Sequence, residues 1–168
     1  EFKRVLFRSD RDVRRAVLAS VAAAPRMPGT EPVIDAAKTT PNRVIVIESS
    51  TGARLVLFGG YSSSALNDTW TYDGTTWTQK SPVTRPTVRY RHAMAFDDNR
   101  GVLVLFGGYS GSASLNDTWE WNGFTWTQRS PKTVPTARWG HAITYDSQRK
   151  KVVMFGGDTT TTGDETWE

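Results

Sequence analysis

Short apolar runs, each closed by a pair of glycines, recur along the chain. Leu55–Phe58, Val102–Phe106 and Val152–Phe155 are apolar throughout and do not alternate with polar residues. Shorter segments bounded by turn residues surround the middle run. The pattern predicts a first strand over Arg91–Phe96, a second over Val102–Phe106, a third over Asp117–Trp121 and a fourth over Thr125–Gln128. Asn122-Gly123, and Asp73-Gly74 in the preceding unit, predict tight hairpins, because both central residues tolerate positive φ. "DDNRG" at 97–101 predicts a longer turn between the first two strands. Each unit is thus expected to be a four-stranded antiparallel meander. A half-exposed antiparallel strand alternates apolar and polar positions. A strand apolar on both sides needs protein on both faces, and sheets stacked around an axis provide it.

The units keep one register. Phe58, Phe106 and Phe155 are 48 and 49 residues apart, and Trp70/Trp119, Trp77/Trp126 and His92/His141 are each 49 apart. A double glycine after an apolar strand, then "LNDTW", an aromatic two residues on, a second Trp and a Pro-x-x-Arg-x-x-His run together resemble the kelch motif. The likeness covers residues 41–168 and is strongest over 54–157. It implies an all-β fold, a β-propeller of kelch type in part, with about two and a half four-stranded antiparallel blades. The blades are placed near 41–80, 88–130 and 136–168, the last one truncated. Propellers close with about four to eight blades, so the chain reads as a fragment and further blades of the same full-length chain are expected. Two departures stand out. The first unit has Val44 and Pro41 where the others have His92/His141 and Arg89/Arg138, and Trp121 replaces Tyr72.

Residues 1–40 lie outside the repeat. "EFKRVLFRSD" resembles a translated sequencing adapter, which makes residues 1–9 an artefact; a short basic membrane-surface segment is the rival reading. Asp10–Ala24 has good helix formers before Pro25, and Arg14-Arg15 ahead of an apolar stretch also fits a weak signal peptide. A frayed helix or linker remnant is the preferred reading.

Composition narrows the chemistry. With 38% apolar and 23% charged residues the chain has a globular composition, and no run reaches the ~18 apolar residues of a membrane span. There is no cysteine, which removes disulfides, thiolate metal sites and cysteine nucleophiles. The net charge is +4, but residues 1–40 hold 8 Lys/Arg against 5 Asp/Glu and residues 41–168 hold 13 against 12. A repeat region this close to neutral makes a poor phosphate binder, so no nucleic-acid partner is expected.

The recurring residues read first as structure. Gly59, Gly60, Gly107, Gly108, Gly156 and Gly157 follow strands and precede loops rather than helices, so they serve backbone geometry and not phosphate binding. Trp70, Trp77, Trp119 and Trp126 suit packing between blades, with sugar stacking as the minor alternative. Arg89 and Arg138, with Asp68 and Asp117, suit buried bidentate bridges between strands; the alternative is an arginine ring reading an acidic ligand at the channel mouth. His92 and His141 lack a carboxylate or thiolate set at ligand spacing, so no metal and no cofactor are expected. No Ser-His-Asp order, paired-carboxylate motif or nucleophile elbow is present. Asn67-Asp68-Thr69 and Asn116-Asp117-Thr118 fit the glycosylation pattern, yet they sit at strand starts where Asn and Asp cap turns.

The variable stretches carry the functional expectation. "YSSSALN", "YSGSASLN" and "DTTTTGD" follow the glycine pairs, and "KSPVTRPTVRY" and "RSPKTVPTARW" link the units. In an up-and-down blade both loop classes emerge on one face, and Tyr61, Tyr109, Arg85 and Trp139 are the candidate ligand residues there; solvated loop filler is the plain alternative. The expected role is a binding module for a protein or glycan, without catalysis. The alternative is part of a carbohydrate-active propeller enzyme, resembling galactose oxidase or a sialic-acid mutarotase; the oxidase's tyrosine–cysteine crosslink has no cysteine here. The Ser/Thr/Asn/Trp-rich repeats point to a secreted or envelope location.

Overall fold

The computed structural model describes residues 44–49, 52–73, 75–159 and 165–168, with the strand path alone at 44–49 and 52–54. The expectations for residues 1–40 lie outside the described residues. Every regular element among those described is a strand: β1 (Val44–Ser49), β2 (Gly52–Tyr61), β3 (Ala65–Tyr72), β4 (Trp77–Lys80), β5 (Ala93–Asp97), β6 (Val102–Phe106), β7 (Thr118–Trp121), β8 (Trp126–Arg129), β9 (Ala142–Asp146), β10 (Lys151–Phe155) and β11 (Thr166–Trp167). They form three antiparallel meanders, β1–β4, β5–β8 and β9–β11, each strand pairing with its neighbours in sequence. The fold is all-β, with the successive antiparallel meanders of a partial β-propeller. The first strands lie innermost, with β5 against both β1 and β9.

The unbroken apolar run of β6 is explained by cover on both sides. Leu103 and Val104 point to opposite faces and are 1% and 6% exposed. On one face Met94, Leu103, Leu105, Trp119, Trp121 and Trp126 pack with Val56 and Phe58 of the preceding sheet. Trp126 crosses furthest: its ring lies 4.9 Å from Phe58, and its Nε1 donates to Thr69 Oγ1 at 3.0 Å. The same logic accounts for the repeated phenylalanine. Phe58 and Phe106 are 0% and 5% exposed, each meeting the next unit's histidine edge-on. Phe155 is 56% exposed, and no following sheet covers it among the described residues.

The glycine pair and the histidine are one packing device. Gly107 and Gly108 have φ of 60° and 103°, conformations that side chains rarely adopt. A Cβ on Gly107 would stand 2.6 Å from the Arg138 carbonyl of the next unit, and one on Gly108 would stand 2.8 Å from His92 Cβ of its own unit. The blades therefore approach each other through backbone at this level.

Three local expectations change. β5 begins at Ala93, two residues after Arg91, because Arg91 has φ 55° and Tyr90 instead bridges to Tyr109. The β7–β8 connection is a four-residue loop between Trp121 and Trp126 rather than a two-residue hairpin. Its organiser is the Asn122 side chain, whose Oδ1 accepts from the Phe124 and Thr125 amides at 2.9 Å each. Asp73 does the same for Thr75 and Thr76 at 2.8 Å each.

The third change concerns the first unit. Leu57 pairs with Val44, whereas its counterpart Leu105 pairs with Met94. Val44 thus stands in for Met94 rather than His92, because the first hairpin is two residues longer than the second. Counting back along the sequence, the Arg89 and His92 positions fall on Thr39 and Asn42.

Lys150 has φ 55° at the position where the preceding unit has Gly101 with φ 64°. A side chain in this region costs roughly 1–2 kcal/mol, partly offset by the chain entropy that glycine adds to the unfolded state. Lys150→Gly is expected to stabilise the protein by about 0.5–1 kcal/mol, read as a higher urea midpoint at unchanged slope.

Candidate functional site

The repeated polar residues are engaged in holding the sheets. Arg89 is fully buried, and its Nη1 and Nη2 donate to the two Asp117 carboxylate oxygens at 2.7 Å each. Nη1 also donates to the Gly107 carbonyl at 3.0 Å. Trp119 Nε1 donates to the same Asp117 carboxylate at 2.6 Å. Burial pushes the Asp117 carboxyl up, but the bonds and charge of Arg89, with the Trp119 bond, outweigh it and leave it below the usual carboxylate range. In the third unit Arg138 pairs with Glu165 at 2.9 Å, and Trp167 donates to that carboxylate at 3.0 Å. Glu165 is the counterpart of Asp117, and its carboxyl is lowered by the Trp167 bond and then by Arg138.

His92 and His141 are buried against Phe58 and Phe106, ring centroids 5.7 and 5.5 Å apart. No group of three or more His, Asp or Glu side chains capable of holding a metal occurs among the described residues. No helix there is long and apolar enough to cross a membrane.

The side chains not consumed by packing gather where the glycine-pair loops meet the links between units. Tyr61, Tyr90 and Tyr109 form a row, with centroids 5.0 and 5.7 Å apart and ring planes tilted by 60° and 75°. The row is fixed from below: Tyr90 and Tyr109 exchange both backbone hydrogen bonds, at 3.0 and 2.8 Å. Beside it, Arg91 lays its guanidinium over the Trp139 ring, 4.4 Å from the centroid. Trp139 is anchored by a backbone exchange with Asp158 at 3.2 and 2.8 Å. Tyr90, Arg91, Tyr109 and Trp139 line a cleft of about 220 Å³.

Of the residues expected here, Tyr109 and Trp139 line the cleft and Tyr61 adjoins it through Tyr90. Arg85 is exposed and does not line it; the link turns inward at Pro86, which is buried. The expected strand over Arg91–Phe96 takes in Arg91, while Tyr90 ends the expected rim link without being singled out from it. Their signal was the repeat itself: Tyr90 occupies the Trp139 position, and Arg91 the Gly140 position.

A larger cleft of about 370 Å³ lies between the second and third sheets, near Asp97, Glu120 and Glu168. Its acids are already paired, Asp97 with Arg100, Glu120 with Arg100 and Arg129, and Glu168 with Arg149 and Lys151. That leaves the aromatic cleft as the better recognition surface.

The sequence profile of the KLHDC2/KLHL20/DRC7 Kelch-repeats domain matches residues 31–168. The chain belongs to the kelch-repeat family. No curated protein matches it closely enough to add a nearer relative. Membership makes this kelch chain a module of the protein-interaction kind.

Proposed function

We propose that this kelch domain binds a polypeptide through the loop face formed by Tyr61, Tyr90, Tyr109, Arg91 and Trp139. The observation that carries the reading is the aromatic cleft: large, half-exposed rings tied down by paired backbone hydrogen bonds, beside the Arg91 guanidinium stacked on Trp139. Aromatics and arginine supply most of the energy of protein recognition surfaces. A glycan is the weaker fit. Sugar stacking needs an open ring face, but one face of Trp139 carries Arg91, and the tyrosines are tilted against one another. What they offer is a tilted aromatic row bordering the cleft, a surface suited to the side chains of an extended segment.

Panning the full chain against a random peptide display library, in parallel with a glycan array, tests this. Selected peptides are expected to lose at least about tenfold in affinity with Tyr109→Ala or Trp139→Ala, while the unfolding midpoint changes little. Peptide binding indifferent to both substitutions, or saccharide binding that depends on them, would reject the reading.

A further inference from the structure

The arginine–acid pair occurs in two of the three sheets, and in the first sheet the acid stands without an arginine among the described residues. In the second sheet the Asp117 carboxylate takes Trp119 Nε1 on one oxygen and the Arg89 fork on both. In the third, Glu165 receives Trp167 and Arg138, and Arg138 Nη1 donates to the Gly156 carbonyl at 3.0 Å. In the first, Asp68 Oδ2 accepts from Trp70 Nε1 at 2.6 Å, the same arrangement. Its Oδ1 is buried and has no hydrogen-bond partner among the described residues. An unsatisfied buried carboxylate oxygen is costly, so it calls for a donor. Aligned by the β1–β2 register, the sequence has a threonine, Thr39, at the arginine's position, and threonine carries no charge to neutralise a carboxylate as a guanidinium does.

We propose that Asp68, near Gly59 of β2, forms a guanidinium-binding site that takes an arginine from outside the described residues of the first repeat. The Asp117 site defines its chemistry most fully, with a planar fork placing two donors on the carboxylate and one on the glycine carbonyl; at Glu165 one donor takes the carboxylate and another the glycine carbonyl. Lysine, a point charge, lacks that fit. The arginine comes either from residues 1–43, which contain seven arginines, or from a bound polypeptide.

Thermal melts of the full chain with L-argininamide or L-lysinamide separate these sources. For a partner's arginine, argininamide raises the midpoint of the wild type by on the order of 3 °C more than lysinamide does, and Asp68→Asn abolishes the difference. For an internal arginine, the wild type shows no such preference; one of the seven Arg→Lys substitutions, made singly, lowers the midpoint and restores the argininamide-specific rise. Asp68→Asn keeps an oxygen for Trp70, so it is a fair control. If neither the wild type nor any Arg→Lys variant shows an Asp68-dependent preference for argininamide, the site does not exist. That result would leave peptide binding at Tyr109 and Trp139 untouched, so the two readings fail separately.

Discussion

Arg89→Ala is expected to cost about 3–5 kcal/mol of stability, because it strands a carboxylate between two sheets. Arg89 has no exposed side-chain surface, and its guanidinium is saturated by Asp117, the Gly107 carbonyl and Thr87. Removing it leaves Asp117 with only the Trp119 indole as side-chain donor. The loss measures the stranded charge, not the net worth of the pair. Burying two charges is itself expensive, so the double variant Arg89→Met/Asp117→Leu should recover most of the stability that the single variant loses. Urea unfolding of the four members of that cycle gives the coupling. If the double variant is as unstable as the sum of the singles, the pair is not acting as a unit.

The same pair predicts an acid limb. Asp117 lies below its ordinary value in the folded protein, so between that value and the unfolded one, about 3.9, the unfolded state binds more protons. Stability from this group is fully present above the unfolded pKa and is lost as pH falls through the folded one. The double variant should unfold less steeply with acid over that window than the wild type. An identical acid limb in both would assign the effect to other carboxylates.

What the sequence made legible follows from which forces act locally. The apolar runs of β2 and β6 were readable because two-sided cover removes the need for alternation, that of β10 because it repeats them, and the glycine pairs because only a bare backbone passes so close to the next unit. The loop between β7 and β8 was misjudged because Asn-Gly also serves a four-residue loop in which the Asn side chain, rather than two residues of positive φ, makes the turn. The first unit's alignment went astray by two residues, since the longer β1–β2 hairpin carries no turn dipeptide to mark it. Arg85 was placed in the site on residue type alone, whereas the buried Pro86 after it carries the link away. Tyr90 and Arg91 were hidden for the opposite reason. They precede a clear strand, and only the positive φ at Arg91 separates them from it.

Trp126→Ala is expected to cost about 3–5 kcal/mol, and its counterpart Trp77→Ala clearly less, about 1–2 kcal/mol. The two tryptophans hold the same repeat position, 49 residues apart, at the start of the fourth strand. Trp126 is 1% exposed, with its ring on Phe58 of the preceding sheet and its Nε1 on Thr69 Oγ1. Trp77 is half-buried and stacks on Tyr72 within its own sheet, centroids 5.1 Å apart. Strand content and local sequence are therefore nearly matched, and what differs is the sheet lying across the ring. Trp126→Phe refines the comparison: it keeps much of the apolar contact but leaves the buried Thr69 hydroxyl short of its donor, for a loss of about 1–2 kcal/mol. Adding Thr69→Val should return part of that loss. Denaturant unfolding of the four variants beside the wild type tests the stacking of sheets directly. Equal costs at Trp77 and Trp126 would mean that each tryptophan serves its own sheet alone, and that the apolar faces of β2 and β6 are not held together by the contact between them.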